Sequence, residues 1–314
     1  MDRDEARHRV MMALLQADNP TGLQELGASV ALPMARVSEA ITSLVVDGLA
    51  VRGPLLPGAR NLVWWAARWE RGLLARTEAF VRRVGEVVGL EPAGVAGPPD
   101  LCGPAVSRYV DLLDAEYQPP EQARIVVFLQ CSVRRPFSTS PSHASMKRAI
   151  EVATGMDARH AFAVSPVHVV VLASYVGPVP YELEGVYPAN IRAGGVVSFG
   201  PEHYAEAKPI LVDRMARYLD RFCRGLDGLA TFTQGRYGDI MAEAGSAVGV
   251  PVRVLPEIDG DRVYRMGSSR PRKYWEQYWA QLVPPLVEWL GPEWRRGAAD
   301  RLAALDVELA SERA

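Results

Sequence analysis

Apolar side chains recur at helical spacing through the first fifty residues. From 4 to 16, Val10, Met11, Leu14 and Leu15 form one stripe, and Asn19-Pro20 predicts its end. A short helix over about 22–29 turns Leu23 and Leu26 inward. Pro33 then opens a third, with Met34, Val37, Ile41, Leu44 and Val45 on one face and Gly48 closing it. After Gly48 the period changes, and residues 49–52 and 62–65 flank 53–58 as two strands flank a hairpin loop. An amphipathic pattern over 69–89 predicts a connecting helix, and the glycine- and proline-rich stretch 91–99 predicts a linker.

Beyond the linker the pattern alternates between helix and buried strand. A helix over 106–117 and the break Gln118-Pro119-Pro120 lead into continuous apolar runs at 124–130 and 168–173, with shorter ones at 229–233 and 252–255. Helical patterns at 142–153, 202–222 and 237–248 fall between them. Strands apolar on both faces and separated by helices predict an α/β fold, a parallel sheet flanked by helices. Ligands of such sheets bind beyond the carboxyl ends of the strands. The expected division is therefore 1–66, a connecting helix and linker over 67–104, and an α/β domain with C-terminal helices over 105–314.

The order helix, helix, helix, β-hairpin in residues 1–66 resembles the winged helix-turn-helix module, whose third helix reads DNA. That places Arg36, on the third helix, and Arg52, on the wing, as candidate nucleic-acid contacts. Residues 1–70 hold seven arginines against eight carboxylates, which is not the footprint of a strong DNA binder. Dimerisation through this module, or its docking onto the rest of the chain, is the competing use.

Composition narrows the classes. With 314 residues, 48% hydrophobic and 23% charged, the chain is neither collagen-like nor disordered, and a mean hydropathy of −0.03 leaves no excess for membrane spans. Three cysteines, 102, 131 and 223, are too few and scattered for a disulfide framework. The N-terminus lacks a signal-type apolar core, so a cytoplasmic protein with no membrane partner is expected. A net charge of −2 confines any nucleic-acid contact to local patches. No cofactor is called for: His160 and His168 lack companions for a metal site, and no phosphate-cradling glycine pattern follows a strand.

Chemistry concentrates after the first strand, in Gln130-Cys131-Ser132-Val133-Arg134-Arg135-Pro136-Phe137-Ser138-Thr139-Ser140-Pro141-Ser142-His143. A thiol, five hydroxyls, two guanidiniums and an imidazole sit where such a sheet presents its site, and Ser142 can cap the next helix. A polar loop with a buried cysteine is the bland alternative. The run resembles the motif Pro-Cys-Ser-x-x-Lys-Pro-Tyr-x-x-Ser-x-Ser-His of the archaeosine synthase core domain, a relative of archaeal tRNA-guanine transglycosylase. Glu116-Tyr117-Gln118-Pro119-Pro120 and the segment Ser174-Tyr-Val-Gly-Pro-Val-Pro-Tyr-Glu-Leu-Glu-Gly-Val-Tyr-Pro188 look like the family's flanking features. The resemblance spans about 105–255. It implies a uracil-DNA glycosylase-like α/β fold and attachment of lysine to the nitrile of 7-cyano-7-deazaguanine in tRNA. Gln130, Arg135, Phe137 and Tyr175 depart from the motifs, standing for Pro, Lys, Tyr and Pro.

On this resemblance Cys131 is the nucleophile that adds to the nitrile, kept ionised by Arg134 or Arg135, and His143 or Glu182 moves protons. Ser138, Ser140, Ser142, Ser174 and Tyr187 complete the substrate-binding set for a nucleobase-like small molecule. Toward the C-terminus, 262–279 interleaves cations with aromatics. Arg270, Arg272 and Lys273 are candidate contacts to tRNA or another nucleic acid, while an amphipathic helix from Pro271 packing Trp275, Tyr278, Trp279 and Leu282 is the alternative. A non-catalytic regulator that senses a nucleobase is the second functional class. A base-excising glycosylase is a third, although Cys131 stands where that chemistry wants a carboxylate.

Overall fold

A computed structural model describes residues 3–16, 21–46, 50–52, 63–89, 100–156, 158, 165–233, 235–255 and 279–311. Asn19-Pro20, the 53–58 loop, the 91–99 linker, His160, Arg270, Arg272, Lys273, Trp275 and Tyr278 lie outside them.

The first unit holds α1 (Arg3–Gln16), α2 (Leu23–Val30) and α3 (Met34–Val46), with short strands β1 (Thr21–Gly22), β2 (Ala50–Arg52) and β3 (Val63–Ala66). The strands form an antiparallel sheet in the order β1-β3-β2, Thr21 facing Trp64 and Val51 facing Trp65. Two adjacent residues carry no period, so β1 escapes a reading of hydrophobic pattern. Ala6, Val10, Leu14, Leu26, Val30, Val37, Ala40, Ile41 and Leu44 make a small separate core. Met34, expected inward, is exposed; the stripe of α3 begins at Val37, one turn later.

The long helix α4 (Ala67–Val88) buries Phe80, Val84 and Val88 against the second unit's core. That unit contains α5 (Pro104–Glu116), β4 (Ile125–Gln130), α6 (Pro141–Thr154), β5 (Val167–Ala173), β6 (Gly177–Pro180), α7 (Pro201–Phe222), β7 (Gly228–Phe232), α8 (Arg236–Val248) and β8 (Arg253–Leu255). The chain ends in α9 (Val283–Leu290) and α10 (Pro292–Ser311). The sheet runs β6-β5-β4-β7-β8. Four strands are parallel, with Ile125 beside both Val167 and Gly228. They lie within a residue of the expected runs; β4, β5 and β7 are buried along almost their whole length, as their apolar runs suggest, whereas Arg253 on the edge strand β8 is exposed.

The expectation of a purely parallel sheet needs correction at one edge. β6 folds back antiparallel on β5, Val171 opposite Val179. Its two prolines suit an edge strand, where a missing N–H leaves no ladder unsatisfied and blunts further pairing.

The C-terminal helices cover α6. Leu282, Leu286 and Leu290 are fully buried. Arg301 of α10 donates from Nε to the Val152 carbonyl at 2.8 Å and from its terminal nitrogen to Ala153 at 3.0 Å, capping the free carbonyls that end α6. Among the described residues no helix is long and apolar enough to cross a membrane.

Candidate functional site

The carboxyl ends of β4, β5 and β7 lie side by side because these strands are adjacent and parallel. Each delivers one member of a cluster. Cys131 directly follows β4, Ser174 directly follows β5, and Tyr237 opens α8 after β7. The Cys131 Sγ lies 3.1 Å from the Ser174 hydroxyl and 2.8 Å from that of Tyr237, and the two hydroxyls are 2.8 Å apart. One backbone group enters this triangle. The Val196 N–H donates to Ser174 Oγ at 3.0 Å and to Tyr237 Oη at 3.2 Å. With the amide feeding lone pairs on both oxygens, one hydroxyl donates to the other across their 2.8 Å contact and the second is left to donate to sulfur. Burial, then the charge of Cys131 and the hydrogen bond to it, hold the Tyr237 phenol well above its ordinary pKa, so it stays a donor.

Gly195 makes room for this. A Cβ there would stand 2.6 Å from Tyr237 Oη, closer than side-chain carbons approach. The turn is fixed from outside by Arg236, whose guanidinium donates to the carbonyls of Val196 at 2.9 Å and Phe199 at 2.7 Å.

Arg135 supplies the positive charge. Its Nε donates to the Ala189 carbonyl at 3.2 Å, a terminal nitrogen donates to the Ser132 carbonyl, and its plane lies 3.8 Å above the Phe137 ring. Burial lowers its pKa, and Cys131, Tyr237 and Glu184 oppose the shift. Arg134 points away, exposed, with a 3.4 Å contact to the Thr139 carbonyl.

The remaining expected residues lock the loop together. The Ser138 amide and hydroxyl both donate to the buried Glu184 carboxylate, at 2.8 and 2.6 Å. Ser140, not Ser142, caps α6, accepting from the His143 amide at 3.2 Å; its hydroxyl meets that of Ser142 at 3.2 Å. Tyr187 is half-buried against the core, one residue before the Pro188–Ala189 stretch that receives Arg135.

His143 and Glu182, expected to move protons, are engaged elsewhere. His143 is fully buried, its Nε2 donating to the Gln130 carbonyl at 2.9 Å, so in the neutral ring Nδ1 accepts from the Tyr181 hydroxyl at 2.6 Å. Burial lowers its pKa to about 3. Glu182 accepts from the Tyr117 hydroxyl at 2.5 Å, in a buried group with His168 and Tyr218. The physical reason is β6: running antiparallel, it carries Glu182 back toward His168 near the start of β5 and away from Ser174 at its end.

Three links therefore join the two sequence motifs, Cys131 to Ser174, Ser138 to Glu184 and His143 to Tyr181, and Arg135 reaches the carbonyl of Ala189 just past the second. Pattern reading missed Tyr237, Glu184 and the Val196 amide. The rule that ligands sit beyond strand ends, applied to the strand at 228–232, was the signal for Tyr237. Cys223 is buried, which pushes its thiol far up, and Cys102 is exposed in the turn before α5. Among the described residues no group of three or more His, Cys, Asp and Glu could hold a metal ion.

Comparison with known proteins places these residues in context. The chain is 28% identical over 115 residues to archaeosine synthase subunit alpha of Thermococcus kodakarensis, covering 37% of this chain and 19% of that protein. It is 30% identical over 122 residues to the same subunit of Thermoplasma acidophilum, covering 39% and 21%. The chain thus spans about a fifth of the length of these curated relatives. A crystal structure of AF0587, a protein of unknown function, aligns at 16% identity and a TM-score of 0.34 over 48% of this chain and 44% of its own. Residues 106–255, which hold all of β4 to β8, match the family described as Domain of unknown function (DUF5591), and the two partial matches make part of the chain similar to archaeosine synthase subunit alpha.

Proposed function

We propose that the chain is an archaeosine-synthase-like protein of tRNA base modification whose α/β domain acts on a 7-deazaguanine base through Cys131. The observation that carries this reading is the triangle of Cys131, Ser174 and Tyr237 at the strand ends, with Arg135 beside it. In this scheme Sγ forms a bond to the nitrile carbon, and the displaced π pair takes a proton from the Tyr237 side to give a thioimidate. An amine, lysine by the resemblance, then adds to the same carbon. The C–S bond breaks, sulfur leaves as thiolate, the proton released by the amine restores the Tyr237 hydroxyl, and an amidine remains. Arg135 offsets negative charge at sulfur in both steps, which arginine does without exchanging a proton. Ser138, Ser140, Ser142 and His143 hold the loop that presents Cys131, and Glu182 supports the strand pair behind it.

The N-terminal unit fits a winged helix, supported by its order of helices and its antiparallel sheet β1-β3-β2. As such it offers Arg36 and Arg52 to nucleic acid. Arg36 is exposed and pairs with Glu39 at 3.1 Å, so a tRNA or DNA phosphate would have to compete for it. Arg270, Arg272 and Lys273 complete the proposed contact set. The uracil-DNA glycosylase-like grouping and a cytoplasmic setting belong to the same reading.

Incubation with 7-cyano-7-deazaguanine and with tRNA carrying it, plus free amino acids, followed by protein and nucleoside mass analysis, tests the scheme. A covalent adduct lost in Cys131→Ala, and an amino-acid-modified nucleoside, are expected. Base binding with neither product leaves a nucleobase sensor instead.

A further inference from the structure

Three aromatic rings stand together beside the thiol cluster and take no part in it. Tyr175 follows Ser174 directly, and its ring centroid lies 5.1 Å from Phe199 and 6.2 Å from His203. Phe199 and His203 stack face to face, 3.9 Å apart at 9°. Phe199 is buried, Tyr175 half-buried and His203 exposed, so the wall runs from the core out to solvent.

The wall is anchored at both ends. Arg236 holds the carbonyls of Val196 and Phe199. On the other side Arg214, itself buried, donates to the carbonyls of Tyr175 and Val176 at 3.3 Å and of Leu101 at 2.7 Å. Gly177, at φ +96°, passes so close that a Cβ would lie 3.1 Å from Arg214 Cβ. These bonds fix the backbone on both sides of the rings, so a flat ligand laid on them would meet a preformed surface. Tyr175 directly follows Ser174, whose hydroxyl lies 3.1 Å from the Cys131 sulfur, and burial and then the charge of Cys131 raise its phenol pKa.

We propose that Tyr175 and the outer face of His203, backed by the buried Phe199, form the stacking subsite for a planar nitrogen heterocycle of purine type, presenting its substituent to Cys131. The wall deepens the nucleobase reading above and rests on it for the identity of the reacting group. Stacking suits this task because every base has a π face, so the wall supplies affinity and leaves discrimination to hydrogen bonds elsewhere. Tyr175 stands where the resembling motif has a proline, which offers no such face, so this subsite is a property of this chain.

Guanosine monophosphate and 7-cyano-7-deazaguanine are titrated by calorimetry into the full chain and into Tyr175→Leu and His203→Ala, with circular dichroism to verify folding. His203 is exposed, so its replacement is expected to leave the fold intact, which the circular dichroism checks. Both ligands are expected to bind the parent chain, and each variant to weaken them about five- to a hundredfold. Unchanged affinity in both folded variants overturns the subsite, as does no binding to the parent chain at millimolar ligand. Binding that depends on the wall without any Cys131 adduct keeps the subsite and removes the nitrile chemistry. An adduct whose concentration dependence is the same in all three proteins does the reverse.

Discussion

The Tyr237 hydroxyl sits 2.8 Å from the Cys131 sulfur, although 106 residues separate them in the chain. The contact exists because β4 and β7 are parallel neighbours, so the residue after one strand and the helix start after the other meet at the same edge. It turns a cysteine with no local partner into a thiol facing two hydroxyls.

Replacing Gly195 tests whether that meeting matters. The added Cβ of Gly195→Ala would stand 2.6 Å from Tyr237 Oη and push the ring off the sulfur. Adduct formation at Cys131 with the cyano base should slow at least about a hundredfold, the low end for a lost proton donor. Tyr237→Phe should slow it similarly. Rates equal to the parent in both variants would show that the triangle is packing alone.

His143 predicts an acid-sensitive fold. Its folded pKa, about 3, lies below the ordinary value of 6.5, so between these the unfolded chain binds a proton that the folded chain refuses. Stability is unaffected by this group above about pH 6.5, then falls with pH by roughly 1.4 kcal/mol per unit, until the folded ring also titrates near pH 3. His168, lowered by burial, adds in the same direction. Urea midpoints measured from pH 7 to 4 should fall less steeply for His143→Gln than for the parent chain; parallel curves would refute the assignment.

Ser138→Ala removes one of the two donors that the buried Glu184 carboxylate receives from Ser138. Leaving a buried charged acceptor short of a donor costs about 1–3 kcal/mol. Chemical denaturation should register this loss, whereas Thr139→Ala, at an exposed neighbour, should cost less.

At the opposite end of the sheet, Gly228 opens β7 against the Trp289 ring. A Cβ would come within 2.1–2.6 Å of three ring atoms, all in a rigid indole. Gly228→Ala should destabilise by about 1–3 kcal/mol, as overpacking does. Trp289→Leu in the same chain should recover part of it, and thermal unfolding of the parent chain and the two variants distinguishes strain from loss of backbone freedom.

The sequence by itself determined the elements whose cause is local. Four largely apolar runs became the parallel strands, three helical stripes became the core of the first unit, and the dense stretch at 130–143 fell beyond a strand end as the pattern required. Met34 missed the core because a helix shows which residues share a face, not where its partner begins. Only the tertiary structure decided β6, since a Gly-Pro-Val-Pro segment has no strand period and pairs because the turn after Ala173 lays it on β5. That reversal moved Glu182 away from Cys131 and brought Glu184 to Ser138. Tyr237, the Val196 amide and the ring wall of Tyr175, Phe199 and His203 likewise entered through strand order. Periodicity records what neighbours along the chain do together, but a site assembled from the ends of different strands depends on which strands lie side by side, and that is fixed by packing across the whole sheet.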